Sequence, residues 1–448
     1  MVLFRSFYFL VATLFMTSFG TLYIYQFHCV HIRPYEFSLA IGISFFFYEA
    51  KKFKIPIISS LASKTFGLFF LAAFISMCYA AFPLVTIKQI SLLMVFGGIF
   101  FLAMNACRDE QQLIILHRTI IYSCLFAAVY GLVLYVLLNM PGLEKVGGYY
   151  FTRPASFFAE PNEFGFYLTF AFGYLCVECF SGQPLVPRAL FYPAILISYV
   201  LLVPNMSRGS WLGWLAILCV AVGLLHKTGI SRLTAKKVVS LTIGIPLSFI
   251  IIVFLVSAFT PTKSPLTVSD VIFSRCHVFS MLSGKVRHKS SCQKERGFAV
   301  ADPTVRERLG RSEIVLKSAA RHSFFGIGFG NVFTVLENIG NLPKKRTSLM
   351  PKVREGTSSN FLFDIFVETG LFGLVCFLAF LFLLIKGALK KISQEKSRQA
   401  RIIYIGAFAS CIGMIINGMS YPLVMLPFFW ISAGILETRC FSGEGKML

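Results

Sequence analysis

Long apolar runs joined by short polar links fill most of this chain, and a single extended polar stretch interrupts them. The runs approach the roughly 20 residues that an α-helix needs to cross a hydrocarbon core. They predict spans at about 7–26, 35–49, 66–85, 89–106, 113–139, 162–180, 189–204, 208–226, 238–258, 360–385, 402–417 and 421–437. The second and the last two are short, which suggests tilt or re-entry. The first run directly follows Arg5 and shows no small-x-small cleavage site after a short apolar core, so it reads as an uncleaved first helix. The expected fold is all-α and polytopic, with about twelve transmembrane helices and one large, partly helical loop between spans nine and ten. Residues 1–258 then hold spans one to nine, 259–358 the loop, and 359–448 the last three spans with a C-terminal tail.

Composition supports this reading. The 448 residues are 56% hydrophobic and 14% charged, with a net charge of +22. Soluble domains carry about 25% charged residues. A surplus of this size in a soluble domain would suggest nucleic acid; here basic cytoplasmic links explain it, and no nucleic acid is expected. Lys51, Lys52, Lys54 and Lys64 share one link, Lys227, Arg232, Lys236 and Lys237 a second, and Lys386 to Arg401 a third. With twelve spans, all three lie on the cytoplasmic side together with both termini. The large loop then lies outside, as do the link 140–161 and the turns at 205–208 and 417–421. Most of the twelve cysteines sit in apolar runs as small hydrophobes. Cys276 and Cys292 fall in the loop, where an oxidising compartment would permit a disulfide. His277, His288 and His322 show no ligand spacing and read as solvated residues, so no metal and no cofactor are expected.

Within the loop, Lys285–Arg296 is dense in charge and poor in apolar residues. Thr304 and Glu307 then fit a capping box, and Val305, Leu309, Leu316 and Ala320 recur at helical spacing, with Arg308 and Arg311 off that line. Gly326-Ile-Gly-Phe-Gly330 ends this helix. Without a strand–turn–helix context it is not a nucleotide loop, but its glycines allow close backbone approach to a ligand.

Three further segments carry chemistry. Arg153 and Glu160-Pro161-Asn162-Glu163 lead into the sixth span; Pro161 disfavours helix at Glu160, and Asn162 can cap the sixth helix. Arg153 suits either a lipid phosphate or a diphosphate ligand, because guanidinium binds phosphate oxygens in pairs. Ser207-Arg208-Gly209 opens the eighth span, where an Arg opposes the helix dipole and so does not serve helix stability. Ser359-Asn360 opens the tenth, followed by Asp364 and Glu368 on one helix face and by Gly370 and Gly373. Intramembrane carboxylates are costly, and structural pairing with Arg competes with function as their explanation. Close helix packing explains the glycines equally well.

Taken in order, Arg153…Glu160-Pro-Asn162, Ser207-Arg208-Gly209, Arg308…Gly326-Ile-Gly-Phe-Gly330-Asn331 and Asn360…Glu368-Thr-Gly370-Leu-Phe-Gly373 resemble the O-antigen ligase and O-antigen polymerase superfamily. The resemblance implies transfer of a glycan from an undecaprenyl diphosphate carrier to an acceptor sugar at the outer face of the bacterial cytoplasmic membrane. It implies no metal and no nucleotide sugar. Arg153 and Arg208 would bind the donor diphosphate, with Arg308, Arg311 and Arg321 completing a cationic cleft that stabilises the leaving group. Glu160 or Glu368 would act as base, with Asn162, Gly328, Gly330, Ser359, Asn360, Gly370 and Gly373 in support. Ligases of this family usually have His before the Asn of the Asn-x9-Gly motif; here it is Ser359, which cannot act as a base near neutral pH. The expectation therefore moves to a polymerase acting on carrier-linked oligosaccharide and acceptor glycan among membrane lipids, with a chain-length regulator as an optional partner.

Other readings are a ligase or protein O-oligosaccharyltransferase of the same superfamily, a flippase for the carrier lipid or polysaccharide, and an assembly protein without chemistry. No internal repeat links the two halves, as many transporter folds would show. An assembly protein would not need Arg153, Arg208 and Arg308 at one membrane face.

Overall fold

The computed structural model describes residues 5–19, 25–27, 30–54, 57–138, 154–158, 160–182, 184–205, 207–230, 310, 312–313, 315–317, 324–332, 360–419 and 422–438. The expected ninth span at 238–258, most of the large loop, and the positions of Arg153, Arg308, Arg311, Arg321, Ser359, Cys276 and Cys292 lie outside these residues.

The described chain is a helical bundle: α1 (Arg5–Met16), α2 (Pro34–Phe53), α3 (Leu61–Ser76), α4 (Pro83–Ala106), α5 (Glu110–Leu138), α6 (Pro161–Phe180), α7 (Arg188–Asn205), α8 (Arg208–Lys227), α9 (Phe361–Gln394), α10 (Arg398–Gly418) and α11 (Pro427–Glu437). Among the described residues, six helices are long and apolar enough to cross a membrane: α3 with its 3₁₀ extension, α4, α5, α8, α9 and α10. The expected count of twelve goes beyond them. The last expected span holds an 11-residue helix, α11, about 16 Å long and half a hydrocarbon core. It is buried on every side from Pro427 to Leu436, as a core helix rather than a full crossing would be.

Among the described residues the fold is all-helical as expected, apart from one short hairpin, and two boundaries are corrected. Tyr25–Phe27 and Val30–Ile32 pair antiparallel, so the first apolar run does not stay helical to residue 26. The turn between the third and fourth runs lies at residues 80–82 rather than around Lys88. Pro83 sits in the first turn of α4, where its missing N–H costs nothing, and Lys88 falls inside the helix.

α6 forms the centre, buried continuously from Glu163 to Glu178. α10 lies against it and α8, and small residues let the backbones approach. A side chain at Gly413 would strike Ile217 and the Gly213 carbonyl, and one at Gly173 would strike Ser410. Ser410 Oγ donates to Phe170 O at 2.6 Å, and Asn417 Nδ2 donates to Thr169 Oγ1 at 3.3 Å and Ser210 Oγ at 3.1 Å. α9 packs on α3, and α11 on α4.

At the end where α2 and α9 finish, side chains cover free backbone groups. Glu49 accepts from the first N–H of α1 at 2.6 Å and from Ser6 Oγ at 2.6 Å, a carboxylate at the positive end of a helix. His117 Nε2 and Glu178 Oε1 meet at 2.5 Å, both fully buried, while Glu178 Oε2 accepts from Leu185 N at 2.8 Å. Lys51, Lys52, Lys54, Lys390, Lys391 and Lys396 gather at this same end.

Candidate functional site

At the opposite end, α2, α6, α9 and α11 begin around one cavity of ≈ 180 Å³, and α4 reaches it in its second turn. Four acids line it: Glu160 and Glu163 at the start of α6, and Asp364 and Glu368 from α9. Arg33, Tyr35 and Gln89 join them, with walls from Phe158, Phe329, Phe361 and Phe428. Arg33 Nη1 donates to Tyr35 Oη at 2.8 Å.

Each acid is held by local chain geometry. Glu160 is extended at φ −138 and ψ 146 as the residue before α6, with Pro161 at the helix start, as its sequence predicts. Asn162 does not cap this helix. It sits inside the first turn because helix begins one residue earlier, where proline's fixed φ already suits it. Asn360 does cap α9, its side chain accepting from Leu362 N at 3.0 Å. Asp364 and Glu368 then share one face, one turn apart, and both reach the cavity.

The glycine-rich passage 326–330 docks directly on α9. Gly370 has φ 70 and ψ −172 and interrupts the helix. The break leaves carbonyls that a continuous helix would use, and the passage takes them: Ile327 N donates to Val367 O at 3.0 Å and Gly328 N to Glu368 O at 3.1 Å. A side chain at Gly326 would overlap the backbone of Glu368, and one at Gly370 the carbonyl of Phe324. The backbone N–H groups of Gly330 and Val332 face the Glu368 carboxyl, Val332 at 3.5 Å. Asn331 is fully buried, accepting from Phe82 N at 3.2 Å and donating to Thr86 Oγ1 at 2.6 Å. Phe329 N donates to Ser76 Oγ at 3.0 Å. The passage thus bolts α3, α4 and α9 together and forms one cavity wall. A side chain at Gly373 would overlap Thr369 of the same helix and meet Ala72 of α3 only at ordinary contact distance. Of the apolar line expected before the passage, Val305, Leu309 and Ala320 lie outside the described residues; Leu316 is exposed, and its neighbour Val315 is buried instead against Ile327, Val332 and Val367.

Arg208 opens α8 at this end of the bundle but is not among the cavity's lining residues. The turn before it is tied to the segment before α6, because Asn205 Nδ2 donates to Pro154 O at 3.2 Å and to Pro161 O at 2.6 Å. Of the expected site residues, Glu160, Glu368 and Gly330 line the cavity together. Gly328, Asn360 and Gly370 hold its walls. Arg33, Tyr35, Gln89 and Glu163 join the site without having been expected in it; all four lie at or near the start of a helix.

No curated protein matches the chain. Among protein families, residues 193–378 match the model described as O-antigen ligase. The match runs from α7 into α9 and takes in Arg208, the Gly326–Gly330 passage and Asn360 to Gly373. Glu160, Arg33 and Gln89 lie before it. Residues 193–378 of this polytopic helical protein are therefore an O-antigen ligase family domain, consistent with the O-antigen ligase and polymerase superfamily.

Proposed function

We propose that the protein is a polysaccharide polymerase, moving glycan repeats from an undecaprenyl diphosphate carrier to an acceptor sugar hydroxyl at the outer face of the bacterial cytoplasmic membrane. One observation carries the proposal: Glu160, Gly330 and Glu368, from three separate motifs, line a single cavity. In this reading Glu160 or Glu368 takes the proton of the acceptor hydroxyl as its oxygen attacks the anomeric carbon. The bond from that carbon to the diphosphate oxygen breaks, and the diphosphate departs with the electron pair. Arg153, Arg208 and Arg308, with Arg311 and Arg321, grip the diphosphate and stabilise its growing charge. Support for Arg208 comes from its position at the cavity end of α8. Support for Arg153 is indirect: its neighbour Pro154 is bonded through Asn205 to the turn preceding Arg208. The lysines clustered at the far end of the bundle favour that end as cytoplasmic.

The test uses purified protein with carrier-linked repeats. Glu368→Gln or Glu160→Gln is expected to lower elongation by about 100-fold or more, with unchanged expression and melting temperature. Full-length ladders from both variants would overturn the carboxylate base. The family description favours a ligase as the second reading. A deletion strain separates the two: single repeats on the final acceptor indicate a polymerase, whereas polymer retained on the carrier indicates a ligase.

A further inference from the structure

We propose that the lipid-facing surface of α1 and α2 holds one anionic glycerophospholipid, its phosphate on Arg5 and Lys52 and an acyl chain in a groove along α2. The site lies at the lysine-rich end of the bundle, away from the acid-lined cavity, and is independent of the transferase reading. A groove of ≈ 450 Å³ is lined there by Arg5 of α1 and by Ala40, Ile41, Ser44, Phe45 and Tyr48 of α2. Those α2 positions recur at helical spacing, so they form one stripe about 12 Å long. Small side chains one turn apart, at Ala40 and Ser44, open it. The Ser44 hydroxyl donates to Ala40 O at 2.9 Å, which spends its donor within the helix and leaves the stripe apolar in effect. Phe37 and Phe47 are exposed on the same side of α2, as is Tyr48, and an exposed apolar patch of this kind suits contact with acyl chains.

Two cations bound the groove where a head group would lie. Arg5 opens α1, where a positive charge opposes the helix dipole, so helix stability does not account for it. Its backbone N–H donates to the Glu49 carboxylate at 2.6 Å. Its guanidinium instead lies over the Phe45 ring, 5.6 Å from the centroid, and makes no hydrogen bond or ion pair among the described residues. Lys52 Nζ stands 5.7 Å from the centre of the Tyr48 ring and 5.5 Å from that of Phe53, again with no carboxylate partner among the described residues. Aromatic faces attract such cations but leave their N–H donors unspent, and a guanidinium fork matches two phosphate oxygens. Phe45 and Tyr48, the rings beneath the two cations, also line the groove. Phosphate and acyl chain are therefore offered neighbouring places, as a phospholipid requires and free phosphate does not. A net-negative head group suits this pair of cations better than a zwitterionic one, whose own ammonium would meet Arg5 and Lys52.

The experiment measures lipid retention by delipidated full-length protein in detergent, by native mass spectrometry. The probes are phosphatidylglycerol and phosphatidylcholine with identical palmitoyl and oleoyl chains, and glycerol phosphate as a head group without chains. One phosphatidylglycerol is expected to bind at least about tenfold more tightly than phosphatidylcholine or glycerol phosphate. Each cation is worth about fivefold, so Arg5→Gln and Lys52→Gln should each weaken phosphatidylglycerol by about that factor. Ser44→Trp fills the groove while both cations stay, and should weaken it by at least about tenfold. Lys390→Gln, at the same end of the bundle but outside the groove, should change nothing. Lipid-free melting temperatures of these surface variants should match the wild type. Equal retention of the two lipids, or wild-type affinity in Arg5→Gln, would overturn the proposal. Unchanged binding to Ser44→Trp, or as large a loss in Lys390→Gln as in Arg5→Gln, would indicate attraction to diffuse surface charge and overturn it as well.

Discussion

Replacing Gly370 by alanine should undock the glycine-rich passage without unfolding the bundle. The residue sits at φ 70 and ψ −172, a region open essentially to glycine alone. Forcing another residue there costs about 1–3 kcal/mol, and the new Cβ would also overlap the Phe324 carbonyl. Relief by moving the passage away gives up the bonds from Ile327 N and Gly328 N, each contributing about 0.5–1.5 kcal/mol. The docked state is therefore weakened by about 2–4 kcal/mol, so opening becomes about 30- to 1,000-fold more frequent. Hydrogen exchange at the Ile327 and Gly328 amides reads this directly. Exchange in α6 and α10 should stay unchanged, while glycan transfer falls because Glu368 loses the N–H of Val332. Gly326→Ala clashes with the same stretch of α9 backbone from the opposite partner. The double variant should therefore cost much less than the sum of the two single effects. Wild-type exchange at Ile327 and Gly328 in Gly370→Ala, or full additivity in the pair, would refute the docking argument.

Three other substitutions probe the frame around the site. Asn331→Leu strips bonds to Phe82 and Thr86 and should destabilise the passage by about 1–3 kcal/mol, seen as faster exchange at residues 327–332 with little change in overall melting. His117→Ala leaves the Glu178 carboxyl buried without its ring partner, and loss of about 3–5 kcal/mol is expected; a thermal melt in detergent checks it. Gly413→Leu drives a side chain into Ile217 and the Gly213 carbonyl and should separate α8 from α10, visible as loss of folded protein on size-exclusion chromatography.

Sequence reasoning reached the cavity by only some of its routes. Asp364 and Glu368 could be placed on one face because helical spacing alone decides that, and Pro161 made Glu160 extended for a purely local reason. Contacts between distant segments were less accessible. Nothing local reveals that Gly326 and Gly370 answer each other, because each glycine's conformation is required by the other's backbone. The phase error at Leu316 has the same origin: docking against Val367 selects Val315 instead. A usable signal did exist for Arg33 and for the true turn at 80–82. α2, α4, α6 and α11 each have proline in the first turn; α2, α6 and α11 begin at the cavity, and α4 reaches it in its second turn at Gln89. Apolar periodicity blurs helix ends in a membrane protein, where both the end and the interior of a span are greasy; proline marks them by backbone chemistry instead.

That crowding of helix starts also explains how a bundle end tolerates so many acids. Each N-terminus presents a partial positive charge of about half a unit. Glu163 in α6 and Asp364 in α9 stand in first turns, where that field is felt. Glu368 stands a turn deeper, beyond the strongest part of the dipole, and faces the N–H groups of Gly330 and Val332 instead. The two arrangements should respond differently to substitution. Glu163→Gln keeps the side chain's hydrogen-bonding capacity and gives up a charge–dipole attraction of about 0.3–1 kcal/mol. Glu368→Leu leaves buried N–H groups without their acceptor, at about 1–3 kcal/mol for each. Melting temperatures should therefore rank Glu368→Leu well below Glu163→Gln. The reverse order would mean that helix ends, rather than the docked glycine-rich passage, hold the deepest acid of the cavity.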